Sequence, residues 1–128
     1  MSEKKSNLNL QIVAPEGEIF SGEVKSVVLP GCEGEFGVLP GHLALVTTLS
    51  AGIISVEYED GSTESIAVDW GFAEVSEDSV NILANGAVML DAKGNLAAAI
   101  AKAKALLESS YDNKFAHIAI SKLEKMRA

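Results

Sequence analysis

Few side chains in this sequence could act on a substrate: one cysteine, Cys32, two histidines, His42 and His117, and two carboxylates, Glu33 and Glu35, on either side of Gly34. A thiolate nucleophile needs an imidazole beside it and a protein-bound metal needs several matched donors, and neither arrangement can be read from these spacings. His42 fits a hydrogen-bonded turn or interface position better than a catalytic one. General acid–base work would require Glu33 and Glu35 to face one substrate; a solvated turn or a partner-facing acidic edge suits them better. The glycines of residues 31–37 do not make a phosphate loop. The stretch lacks the Gly-Lys-Ser/Thr ending, leads into strand-like sequence instead of a helix, and would set two glutamates against the phosphate. No catalytic, metal-ligating or cofactor-binding residue is assigned.

These residues open the segment EGEFGVLPGHLALVTTL, residues 33–49. Gly34, Gly37 and Gly41 allow backbone geometries closed to other residues, Pro40 fixes one φ angle, and Val38 and Leu39 supply an apolar bend. A loop so constrained, with no catalytic equipment, predicts a shaped contact surface for another protein. Its candidate contact residues are Glu35, Phe36, Gly37, Val38, Leu39, Pro40 and His42. Asp69-Trp70-Gly71-Phe72 places the one tryptophan beside a glycine in strand context, which reads as a core or bulge feature.

The elements around this segment follow from composition and pattern. At 128 residues, 48% hydrophobic, the chain can bury a core yet contains no apolar run of membrane-spanning length. No signal-peptide core precedes the first strand-like residues, so the expectation is a chain that stays in the cytosol. A net charge of −8 argues against a nucleic-acid surface, which needs clustered Lys and Arg. The charge is also divided: residues 1–90 carry 14 acidic and 3 basic side chains, and residues 91–128 carry 4 and 7. Opposite signs predict two modules, 1–90 and 91–128. In the first, short alternating or β-branched runs at 8–13, 22–29, 43–48, 52–57, 65–68, 71–75 and 80–83 predict an all-β, two-sheet sandwich, with Asp60-Gly61 as a tight hairpin.

Past Leu90 the periodicity becomes helical. Asp91 or Asn95 can cap a helix carrying Leu96, Ile100, Ala103 and Leu107, and residues 109–113 break it. A second helix, capped near Asp112 or Asn113, carries Phe115, Ile118 or Ala119, Leu123 and Met126 along one stripe. The fold class expected is therefore mainly β with an α appendage, the sandwich followed by a C-terminal antiparallel two-helix hairpin. Helices of about fourteen residues are marginal alone in water. Ala97, Ala98, Ala99, Ala101, Ala103 and Ala105 favour helix but bury little, and each larger apolar side chain contributes at most about 1.5–3 kcal/mol before ordering entropy. The hairpin is thus a candidate two-state element, docked or released. Its basic residues also read as a solvated face balancing the acidic sandwich.

Residues 33–49 resemble the conserved loop of the epsilon subunit of F-type ATP synthases, S-E-G-x-x-G-(I/V)-L-P-G-H. Cys32 stands where Ser is common, and Glu33, Gly34, Gly37, Val38, Leu39, Pro40, Gly41 and His42 keep the pattern. The likeness extends through Phe20-Ser21-Gly22, Gly71-Phe72-Ala73-Glu74-Val75, the VNILA run at 80–84 and the alanine-rich C-terminal region. Trp70 occupies a position where the family often has Gly. The resemblance implies a non-catalytic subunit without cofactors, whose sandwich binds the gamma subunit and rests on the c-ring through Glu35, Phe36, Gly37, Val38, Leu39, Pro40 and His42. It implies that the hairpin can extend toward the alpha and beta subunits of the catalytic hexamer, with Lys114, Lys122, Lys125 and Arg127 meeting acidic elements, and so restrain ATP hydrolysis. The implied place is peripheral, on the cytoplasmic face of a bacterial membrane, without direct insertion. An alternative within the resemblance is a nucleotide-sensing small-ligand-binding domain. The Ile/Leu-Asp-x-x-Arg-Ala motif of nucleotide-binding members is damaged here, because starting at Leu90-Asp91 puts Gly94 at the arginine position.

Overall fold

The computed structural model describes residues 7–90, 96–109 and 113–126. In β1 (Leu8–Ala14), Leu8, Leu10, Ile12 and Ala14 are buried while Asn9 and Gln11 face solvent, the period of two that a half-buried strand requires. A Pro15-Glu16 turn closed by Gly17 at φ 130° returns the chain as β2 (Gly17–Val24), antiparallel to β1 with a register shift between Ile12 and Val13. Next come β3 (Ser26–Gly31), β4 (Gly34–Val38), β5 (Leu45–Leu49), β6 (Gly52–Glu57), β7 (Thr63–Val68), β8 (Gly71–Val75), β9 (Ser79–Ala84) and β10 (Ala87–Leu90). Two helices follow, α1 (Leu96–Glu108) and α2 (Asn113–Met126).

Hydrogen bonding runs in the order β10-β7-β6-β3-β5-β8-β9-β1-β2, with β4 paired to β3. The path doubles over near its middle, where β3 and β5 meet at the single pair Gly31–Leu49. This yields two layers, β10-β7-β6-β3-β4 and β5-β8-β9-β1-β2, enclosing one core: Val27, Leu29, Val38, Ile54, Val56, Ile66 and Val68 from the first, and Leu8, Leu10, Ile12, Leu49, Ala73, Val75, Val80 and Ile82 from the second. β1 and β9 are parallel; the other pairings are antiparallel. The mainly-β sandwich with a two-helix appendage is the fold expected.

The first layer is covered on both faces. Its outer side supplies Ala51, Ile53, Ala67 and Leu90 to a second cluster, completed by Ile100, Ala103 and Leu107 of α1 and Ala119 and Leu123 of α2. Doubly covered strands explain the unbroken apolar runs IAV in β7 and VML in β10, since both alternate faces meet hydrocarbon.

Several expectations change. Residues 34–38 are not loop but β4, paired with β3 from Val27–Val38 to Gly31–Gly34. Glycines there suppress strand propensity in the sequence, yet the Cys32-Glu33 turn fixes the register, with Gly34 at φ 127°. The run at 22–29 is two strands, divided at Lys25, whose N–H bonds Glu57 O at 2.8 Å. β5 starts at Leu45 instead of Leu43. Asp60-Gly61 lies in a longer loop between the paired residues Glu57 and Thr63, where Gly61 takes φ 89° and the Asp60 carboxylate accepts the Ser62 N–H at 2.9 Å. β2 and β10 were not foreseen as separate strands. The expected caps Asp91, Asn95 and Asp112 lie outside the described residues.

Candidate functional site

The contact segment is built by three local devices. At its start, Gly31 faces Gly34 across the hairpin end, and a Cβ on Gly31 would stand 2.8 Å from Gly34 O and 2.9 Å from the Phe36 ring. In its middle, β4 alternates: Glu35 and Gly37 are exposed, Phe36 is partly buried and Val38 is wholly buried in the sandwich core. At its end, the His42 N–H bonds Leu39 O at 3.1 Å, with Pro40 and Gly41, the latter at φ 91°, between them. That is a turn with proline at its second and a positive-φ residue at its third position, as type II demands. The Gly41 N–H bonds Glu77 O at 2.7 Å, tying the turn to the bend before β9.

The structure sorts the predicted contact residues accordingly. Leu39 is 59% exposed at the turn, and Glu35 and Gly37 face outward. Pro40 and His42 are partly exposed, and His42 Nδ1 donates to Leu43 O at 2.7 Å. Val38 is a correction. Strand alternation points its side chain into the core, where no partner can reach it, so it positions the segment without touching anything outside.

Cys32, weighed above as a nucleophile, is locally engaged. Thr48 Oγ1 donates to Cys32 Sγ at 2.9 Å, across the β3–β5 junction. The buried carboxylate of Asp69 is structural: Oδ1 accepts the N–H groups of Trp70 and Gly86, both at 2.8 Å, and Oδ2 accepts Asn85 Nδ2 at 2.7 Å. It thereby fastens the β7–β8 bend to the β9–β10 bend.

Sequence reasoning missed a second surface. On the outer face of the β5-β8-β9 layer, Val46, Phe72 and Leu83 are 72%, 46% and 61% exposed. Phe72 pairs with Thr48 on one side and Leu83 on the other, and Leu83 with Val13. Trp70, 41% exposed, is therefore not core; its ring meets Phe72 edge to face at 5.9 Å. The signal was present as apolar residues at both parities of the β5, β8 and β9 runs. Exposed large apolar residues in cross-strand contact mark a docking face more often than isolated ones do.

Of the helical residues expected to act, Lys122 and Lys125 are exposed on α2. Arg127 and the Lys114 side chain lie outside the described residues, as do the Phe115 and Met126 side chains and the 91–95 part of the damaged nucleotide motif. Lys122 Nζ lies 2.5 Å from Glu35 Oε2, and Lys104 Nζ lies 3.1 Å from Glu124 Oε2, joining α1 to α2. None of the helices described is long and apolar enough to cross a membrane.

Relatives of this chain share its layout. Residues 7–90 match the family model for the ATP synthase Delta/Epsilon chain beta-sandwich domain. The ATP synthase epsilon chain of Wolinella succinogenes is 53% identical over 111 residues, covering 85% of both chains, and that of Helicobacter pylori strain G27 is 50% identical over 110 residues, covering 85% of this chain and 89% of its own. Among solved structures, a chain of the Euglena gracilis mitochondrial ATP synthase OSCP/F1/c-ring assembly aligns over 99% of this chain and 85% of that one, with TM-score 0.70 and 28% identity. A chain of the Tetrahymena thermophila mitochondrial ATP synthase central stalk and c-ring shares the fold at 12% identity and TM-score 0.51, covering 67% of this chain and 68% of that one. With about half of the aligned residues identical to those of epsilon chains, and with the glycine-built hairpin, the Pro40-Gly41 turn and the helical appendage in place, this chain belongs to the ATP synthase epsilon chain family.

Proposed function

We propose that this chain is a non-catalytic central-stalk subunit that binds the gamma subunit through the outer face of its β5-β8-β9 layer. The exposed apolar pair Phe72 and Leu83, with Val46 on the same face and Trp70 against Phe72, is the observation that carries this reading. Apolar anchors of this kind, ringed by polar side chains such as Thr48, Glu74 and Asn81, have the anatomy of a protein interface. The lip formed by Glu35, Gly37, Leu39, Pro40 and His42 is the contact for the c-ring loops, with Val38 supporting it from within. The two modules divide the work, residues 1–90 anchoring and residues 91–128 regulating. In the released state, Lys114, Lys122, Lys125 and Arg127 meet the alpha and beta subunits and slow ATP hydrolysis, while rotation with the stalk couples ion flow to ATP synthesis. The subunit is peripheral at the cytoplasmic face of a bacterial membrane.

The test adds the full chain, or the same chain with Phe72→Ser and Leu83→Ser, to an ATP synthase complex depleted of its own epsilon subunit, and records binding and hydrolysis. Binding and slowed hydrolysis by the unaltered chain, both lost in the double variant, support the assignment. Failure of the unaltered chain to bind, or ATP turnover by the chain alone, refutes it.

A further inference from the structure

Glu35 and Lys122 belong to two surfaces with separate expected duties, yet they hold one another. Lys122 Nζ lies 2.5 Å from Glu35 Oε2, linking the middle of α2 to the lip of β4, with both side chains about half exposed. Beside this pair α2 is thinly seated. Ala119 and Leu123 are buried against the sandwich, whereas Ile118 remains 54% exposed. A cleft of about 260 Å³ is left between Ile118, Lys122 and a wall of small residues that includes Gly31, Gly34, Ala51 and Gly52. Gly52 in that wall has no room for a side chain. A Cβ on Gly52 would come 2.5 Å from Pro30 Cβ.

We infer that Glu35 is shared: the docked hairpin and the c-ring compete for one carboxylate, so engagement of the lip loosens α2. The inference rests on the reading of Glu35 as a partner contact. A basic group of a partner brought to Glu35, whose side chain is half exposed, meets the Lys122 ammonium already beside it, and the two like charges repel across the one carboxylate. The linkage is reciprocal, because whatever weakens partner binding when Lys122 is paired must weaken Lys122 pairing when the partner is bound. Exposed ion pairs set its size at about 1.5- to fivefold in either equilibrium, less as salt screens the pair. Among the described residues of α2, Ala119 and Leu123 are the side chains fully buried in the seam, with Ile120 partly buried beside them, so a modest bias is enough to matter.

Two measurements on the full chain decide it. Hydrogen exchange of the amides at 118–123 is followed in the unaltered chain, Glu35→Gln, Lys122→Gln, and the exchanged pair Glu35→Lys with Lys122→Glu. Each single change should speed exchange by about 1.5- to fivefold, and the reversed pair should restore it. Affinity is then measured for a gamma subunit and c-ring complex free of alpha and beta subunits. Lys122→Gln should tighten binding by the same factor and Glu35→Gln should weaken it. If Lys122→Gln leaves affinity unchanged or lowers it, or if neither single change speeds exchange, the competition is overturned. If Glu35→Gln alone leaves affinity unchanged while the unaltered chain binds, Glu35 is no contact and the inference fails, although the stalk assignment stands. Absence of binding by the unaltered chain brings down both.

Discussion

Single residues decide whether this sandwich closes. Asp69 is 5% exposed and accepts from Trp70 N, Gly86 N and Asn85 Nδ2. Removing it leaves a buried N–H without a partner, which costs about 1–3 kcal/mol. Asp69→Ala is expected to lose that much stability in urea unfolding, whereas Asp69→Asn, which keeps Oδ1 as an acceptor for both N–H groups, should lose less. Equal losses would show that the carboxylate bonds contribute little. Gly71 is constrained differently. A Cβ there would stand 2.4 Å from the Leu83 carbonyl oxygen, a backbone atom of the paired strand that cannot swing aside. Gly71→Ala should therefore destabilise by about 1–3 kcal/mol through strain, read as a lower denaturant midpoint with an unchanged slope. At this scale the sequence was legible in type more than in place: Gly71 and Trp70 stood out, but the close approach that excludes a side chain at the one and leaves the other partly exposed arises from β9 and from the Phe72 ring.

At the scale of elements, the hairpin is held by a narrow apolar seam. Ile100, Ala103 and Leu107 of α1 and Ala119 and Leu123 of α2 meet the outer face of β6, β7 and β10. Large-to-small changes at buried sites cost about 2–5 kcal/mol, a large share of what such a seam supplies. Leu123→Ala is expected to abolish slow amide exchange in α2 while the sandwich strands keep theirs. Loss of protection throughout the chain would mean that hairpin and sandwich unfold as one unit. The periodicity of Leu96, Ile100, Ala103 and Leu107 gave α1 its buried face directly. For α2 the stripe left Ile118 and Ala119 as alternatives, and packing chose Ala119, which joins Ala51, Ile53 and Ala67 in the cluster beneath the helices.

At the scale of the whole molecule, one layer of the sandwich is covered by helices and the other presents an apolar row to solvent. Truncating interface anchors commonly costs 2 kcal/mol or more. Leu83→Ala is thus expected to weaken binding to a gamma-containing complex by about thirtyfold while leaving thermal stability unchanged, since Leu83 is 61% exposed. A fall in melting temperature with unchanged affinity would instead make the row part of the fold's own packing. The Pro40-Gly41 turn that ends the candidate contact segment was readable from its proline and glycine. The strand Gly34–Val38 was not, because Gly34 and Gly37 conceal a strand whose pairing partner, β3, lies on the far side of the Cys32-Glu33 turn.

Neighbours within a few residues set the alternation that makes the strands, the helical period past Leu90 and the Pro40-Gly41 turn, and composition alone set the opposite charge of residues 1–90 and 91–128. Tertiary structure alone decided which face of each strand is wet. The burial of Val38, the exposure of Val46, Phe72 and Leu83, and the meeting of Glu35 with Lys122 depend on residues far apart in the chain: Val38 is covered where the sheet doubles over at Gly31 and Leu49, and Lys122 reaches Glu35 where α2 docks on the outer face of the first layer.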